Sequence, residues 1–148
     1  MSICVCARVN GKCIDEKLLE KVMVEFFHPK NSFAKEVNKK CVTYSGITDE
    51  ITISFVCEKN PPSNIYDSGI INGEYEFTQL LFFDVNKENA TIDTYKIIIE
   101  FCKYLKTKIE SDILVTSDVH NDICLLKEQE MIWSEDFSFI KKKQIGSI

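Results

Sequence analysis

The chain has 148 residues, of which 45% are apolar and 28% charged, and its formal net charge is -5. That length buries a core without disulfide or metal staples, and the composition excludes a disordered or low-complexity chain. No stretch nears the roughly 18 uninterrupted apolar residues of a membrane span, and Met-Ser-Ile-Cys-Val-Cys-Ala-Arg lacks the basic and apolar regions of a secretory signal. A cytoplasmic location is the expectation.

In chain order, residues 2–9 alternate as a first strand, closed by the turn Asn10-Gly11. Asp15 is suited to cap a helix whose apolar positions, Leu18, Leu19, Val22, Met23 and Phe26, follow helical spacing until His28-Pro29 stops it. Residues 30–40 are polar and Lys-rich and suggest at most a short helical turn from Ser32. A strand is expected over Cys41–Tyr44, ending at Ser45-Gly46, and another from near Glu50 through Cys57, where apolar and polar residues alternate.

The irregular stretch from Asn60 to Gly69 contains Pro61-Pro62, which excludes a central strand there. Asn72-Gly73 marks a tight turn into one long strand, residues 74–85, which carries Tyr75, Phe77, Leu81 and Phe83 on one face. Residues 91–109 form the strongest helix pattern, with an apolar stripe broad enough to suggest packing against a second layer or a partner. Ile113–Thr116, Ile123–Leu126 and Met131–Trp133 then read as a meander of three short strands. The tail, residues 141–148, opens with three lysines and reads as flexible. The whole predicts a single two-layer α+β domain over residues 1–148: a mainly antiparallel sheet of about six or seven strands with two principal helices packed on it.

Seven cysteines suit a reducing compartment, and most stand in apolar settings where a thiol behaves as a small hydrophobe. The close pair Cys4-x-Cys6 lacks zinc-knuckle spacing, so no metal or other cofactor is expected. Seventeen of the eighteen basic residues are Lys, with Arg8 the exception. This argues against nucleic acid, because phosphate and base recognition favour the planar fork of Arg.

The charge is unevenly placed. Residues 109–136 carry eight acids against Lys127 alone, leaving fifteen acids and seventeen bases elsewhere, so the net negative charge comes from this one segment. An acidic face attracts cationic partners and repels nucleic acid. Asp118, His120 and Asp122 would share one side of an extended chain, an arrangement that also suits a turn, a metal or proton transfer. Glu128, Glu130, Glu135 and Asp136 read as a solvated edge or a docking face, and Trp133 as its aromatic anchor or as a core residue. Catalysis finds little support: the histidines are His28 and His120 only, no glycine-flanked serine occurs, and the five glycines form no phosphate loop.

The run from the helix Tyr95–Ile109 through Asp112-Ile-Leu-Val-Thr-Ser-Asp118, Asp122-Ile-Cys-Leu-Leu-Lys and Glu130-Met-Ile-Trp-Ser-Glu-Asp136 resembles the ending of small bacterial immunity proteins of the Sit type. The resemblance covers about the last third of the chain. It implies a cytosolic, non-catalytic protein that neutralises a toxin, and it brings no catalytic residues.

Together these readings predict a binding protein that occludes a basic protein partner, such as a toxin domain, through Asp118, His120, Asp122, Glu128, Glu130, Trp133, Glu135 and Asp136, without membrane or nucleic acid. Two alternatives stay open: a small enzyme or metal- or ligand-binding domain centred on His120, and a self-associating accessory subunit, a homodimer using the long helix.

Overall fold

A computed structural model describes residues 2–47, 52–86, 92–118, 121–135 and 137. Ten strands and two helices are present among them: β1 (Ser2–Val9), α1 (Glu16–Phe27), β2 (Ala34–Val37), β3 (Cys41–Ile47), β4 (Thr52–Lys59), β5 (Ile65–Ser68), β6 (Gly73–Glu76), β7 (Gln79–Asn86), α2 (Ile92–Lys106), β8 (Ile113–Ser117), β9 (Asn121–Lys127) and β10 (Glu130–Trp133). The fold is α+β and its pairings are antiparallel, but the strands outnumber the expected six or seven. Eight form one sheet in the order β10-β9-β8-β1-β7-β4-β3-β2, and β5 and β6 form a separate hairpin. The tail over 141–148 lies outside the described residues.

β1 is central, paired with β7 along its length and with β8 through Val5–Val9. One face of the sheet, carrying Val5, Ala7, Val9, Phe55, Leu81, Phe83 and Val115, shares a core with both helices. Asp15 caps α1 by accepting from the Leu18 amide, and His28 closes it in the left-handed conformation at φ 49°, just before Pro29. The helix buries Leu19, Val22 and Met23 of the stripe its spacing predicts, while Leu18 and Phe26 are half-buried against the core and Phe27, off that stripe, is buried.

The broad stripe of α2 is used within the chain. Ile98, Ile99, Cys102 and Leu105 join the sheet core, while Phe101 stacks on Phe27 at 4.8 Å and meets Phe26 edge-on at 5.6 Å. Tyr104 also lies against Phe26. The helix is broadly apolar because it packs on a sheet and on α1 at once.

Three expected elements differ. The Lys-rich segment holds the edge strand β2 in place of a helical turn; with all four residues exposed, it shows no hydrophobic alternation to reveal it. β3 continues through Gly46 to Ile47, paired with β4 as far as Thr52, and the Phe33 ring, 2.6 Å from where a Cβ at Gly46 would be, fills the space the glycine leaves. The long strand over 74–85 divides: Tyr75 belongs to the hairpin, and the chain turns at Phe77 and Thr78, whose amides bond Asn64 and Val9 carbonyls, before Gln79 enters the main sheet.

The hairpin lies over the other face of the main sheet. Its Tyr75, followed by Phe77, packs with Leu114 and Leu125, with Tyr66, Ile70 and Leu80 at the margin. The Arg8 guanidinium stands over the Tyr66 ring at 4.4 Å and the Phe77 ring at 4.9 Å.

Candidate functional site

The acidic segment falls mainly on β8, β9 and β10, with β10 ending the sheet order. β9 is buried from Asp122 to Leu126 and exposed at both ends, while β10 alternates. Met131 and Trp133 turn to the core; Glu130 and Ile132 turn outward, Ile132 being 40% exposed. Glu128 occupies the β9–β10 turn at φ 50°, a conformation few non-glycine residues adopt. Glu135 is exposed just beyond, where Ser134 turns inward and its amide bonds the Ile123 carbonyl at 2.9 Å. Glu128, Glu130 and Glu135 thus lie along or at the ends of the outermost strand, which exposes Ile132, with exposed Lys127 paired opposite Glu130.

The remaining predicted site residues are placed differently. Asp118 is exposed, but its Oδ1 accepts from the Cys4 amide at 3.1 Å and its own amide bonds the Cys4 carbonyl, so it fastens β8 to β1. It stands at the start of the β8–β9 hairpin, whereas Glu128 follows the far end of the seven-residue β9, about 20 Å away at ~3.3 Å per residue. His120 and Asp136 lie outside the described residues.

Asp122 corrects the expectation of a solvent-facing acid: only 4% of it is exposed. Its Oδ2 accepts from Ser68 Oγ at 3.0 Å and from the Ile70 amide at 3.1 Å, holding the β5–β6 hairpin to the sheet. A β-bulge between Val115 and Thr116 in the β8–β9 pairing sets Asp122 opposite Thr116, on the hairpin side. Its Oδ1 is buried without a hydrogen-bond partner among the described residues, as is Arg8 Nε. Tyr66 lies between these two charges. Burial first, and then the Asp122 carboxyl, push its phenol pKa up, while Arg8 opposes them.

Trp133 is half-buried, stacked on the fully buried Phe137 at 5.7 Å with the rings 8° from parallel. It closes the core. The outward aliphatic on β10 is Ile132, which the sequence reading passed over because a lone isoleucine in a four-residue strand carries no signal of its direction.

The four buried thiols, Cys6, Cys57, Cys102 and Cys124, are poorly suited to nucleophilic chemistry. Burial raises the pKa of Cys6 to about 11 and of Cys102 to about 12, and carries Cys124 well above the ordinary value. Cys57 is raised by burial too, although its sulfur accepts from Gln79 Nε2 at 3.1 Å. Among the described residues no group of three or more His, Cys, Asp and Glu is arranged to hold a metal ion, and no helix is long and apolar enough to cross a membrane.

Comparisons with protein-family models, with curated proteins and with solved structures find no match to this chain.

Proposed function

We propose that this chain is a non-catalytic, cytoplasmic binding protein that occludes a basic protein partner through the outer strand β10, in the manner of an immunity protein neutralising a toxin domain. The carrying observation is the exposure of Glu128, Glu130, Ile132 and Glu135 along the outermost strand and its ends, while the strand's other face is anchored by Met131 and Trp133. Acids on a rigid edge accelerate encounter with a cationic surface, and an apolar centre within a charged rim provides the contact that slows dissociation. The resemblance of the C-terminal third to Sit-type immunity proteins supports the same reading. Asp118 and Asp122 are left out of the docking face, since they fasten strands and hairpin. The reading assigns the chain a single domain with its helices on one side of the sheet, and no role at nucleic acid or membrane.

The test takes the product of the reading frame adjacent to this gene, expresses it with and without this chain, and measures growth and complex formation. Rescue with a stoichiometric complex is the expected result. Glu128→Lys, Glu130→Lys and Glu135→Lys together should slow association by about tenfold or more at low salt and flatten its salt dependence, with folding unchanged. An unchanged association rate and salt slope, or no complex, overturns the reading.

A further inference from the structure

Near the opposite edge of the main sheet, the first turns of α1, the β2–β3 turn and the ends of β3 and β4 enclose a cleft of about 370 Å³. That is a volume suited to a small organic ligand. Ile14, Leu19 and Val42 give it an apolar wall. Lys39, Lys40 and Lys59 line it against a single acid, Glu16, whose Oε1 is already held by Lys35 Nζ at 2.8 Å. In a chain of net charge -5, this concavity is positive.

Lys39 and Lys40 are held in place, because they form the β2–β3 turn, closed by the Asn38 amide on the Cys41 carbonyl at 2.9 Å. Tyr44 also lines the cleft. It is 2% exposed, and its hydroxyl is buried without a hydrogen-bond partner among the described residues. Burial first, and then the Glu20 and Glu16 carboxylates that face it, push its pKa up, so the hydroxyl keeps its proton on the acidic side of the cleft, away from the lysines. Gln79, fully buried beside it, is committed on both sides: Oε1 accepts from the Ile14 amide at 2.7 Å and Nε2 donates to Cys57 Sγ. The cleft therefore combines an apolar wall with a lysine rim. Cationic ligands meet the wrong charge here and neutral ones leave the lysines unpaired, whereas an anion with an apolar body finds a counterpart for each part.

We infer that this cleft binds a small amphipathic anion, its apolar body against Ile14, Leu19 and Val42 and its carboxylate or phosphate head among Lys39, Lys40 and Lys59. The site is separate from the β10 edge and does not depend on the reading given to it.

The test titrates the full isotope-labelled chain with decanoate, decyl phosphate and decanol, following backbone amide shifts. Both anions should bind saturably at one site, moving amides of residues 14–19 and 38–44, with decanol weaker by about tenfold or more. The better of the two heads identifies the natural one as carboxylate or phosphate. Lys40→Glu with Lys59→Glu should weaken anion binding by about tenfold or more. Should the charge-reversed variant fail to fold, the salt dependence of wild-type binding decides, since binding through lysines weakens as salt rises. Equal affinity for decanol, non-saturating shifts, salt-independent affinity, or full affinity in the charge-reversed variant overturns the inference.

Discussion

Asp122 on β9 and Ser68 on β5, fifty-four residues apart, meet inside the molecule with Asp122 Oδ2 accepting from Ser68 Oγ at 3.0 Å. The Ile70 amide completes the pair of bonds at 3.1 Å. Asp122→Ala should cost about 1–3 kcal/mol in chemical denaturation, because it removes both bonds and leaves the buried Ser68 hydroxyl without its acceptor, while the Ile70 amide keeps Ser68 Oγ at 3.2 Å. Asp122→Asn should cost less, since an amide oxygen still accepts. Hydrogen exchange should quicken in Ile65–Glu76 more than in β1 or β7. An even change across the sheet would mean that this contact does not specifically hold the hairpin.

Arg8 grips the same hairpin from below, over the Tyr66 and Phe77 rings. Arg8→Met keeps the apolar stem and loses the cation, so a loss of about 1–2 kcal/mol is expected. Combined with Asp122→Ala, the effects should be less than additive, because a hairpin already released by one change has less to lose from the other. Strict additivity in the double-mutant cycle would show that the two contacts act on separate elements.

What the sequence disclosed tracks how locally each feature is determined. α1 was legible because Asp15, the Leu19–Val22–Met23 spacing and His28-Pro29 lie within one short window. The β8–β9–β10 meander was legible because charged turns separate its apolar runs. β2 was not, since an edge strand with four exposed residues has no buried face to impose alternation. The break between Glu76 and Gln79 was hidden because odd-numbered residues are apolar on both sides of it, although Tyr75 and Phe77 join one cluster and Leu81 and Phe83 the other. Asp122 looked like its neighbouring acids because nothing nearby in sequence reveals that Ser68 and Ile70 will reach it. The cleft was missed for the same reason, its lysines coming from the β2–β3 turn and the end of β4 and its hydroxyl from the middle of β3.

Trp133 provides a test of core against interface. Stacked on buried Phe137 and packed on the main core, it should make Trp133→Ala costly, by about 3 kcal/mol, in the chain alone. Ile132→Ala, on the outward face of the same strand, should cost well under 1 kcal/mol. Denaturation of the two variants checks both values. The reverse order would put the tryptophan outside and the isoleucine within.

Gln79 joins the entry of α1 to the sheet through the Ile14 amide at 2.7 Å. Gln79→Leu preserves much of the volume but leaves that amide and the Cys57 sulfur unpaired, so a loss of about 1–3 kcal/mol is expected. Gln79→Glu keeps an acceptor for Ile14 but gives up the amide donor to Cys57 and introduces a buried charge, and its cost should grow as pH rises through the carboxyl range. Denaturation midpoints of both variants across that range check the assignment, and a pH-independent Gln79→Glu penalty would contradict it.

The buried thiols set the alkaline limit of stability. Burial raises Cys6 from 9.0 to about 11 and Cys102 from 9.0 to about 12, carries Cys124 well above 9.0, and raises Cys57 despite the opposing bond from Gln79. The folded chain therefore holds these protons in a range where the unfolded chain has released them. Their contribution is fully present below the unfolded value of 9.0 and is lost as pH climbs toward the folded values of about 11 and 12. Inside that window each thiol should lower the unfolding free energy by about 1.4 kcal/mol per pH unit. Tyr44 and Tyr75, whose pKa values burial also raises above 10.0, add to the decline once pH passes that value. Urea denaturation under reducing conditions, below, at and one unit above the ordinary thiol value, measures the slope. Cys6→Ala should reduce it by one thiol's share in the window and leave the pH dependence near neutrality unchanged. A stability that stayed flat across the window would show that unfolding does not free these thiols to ionise.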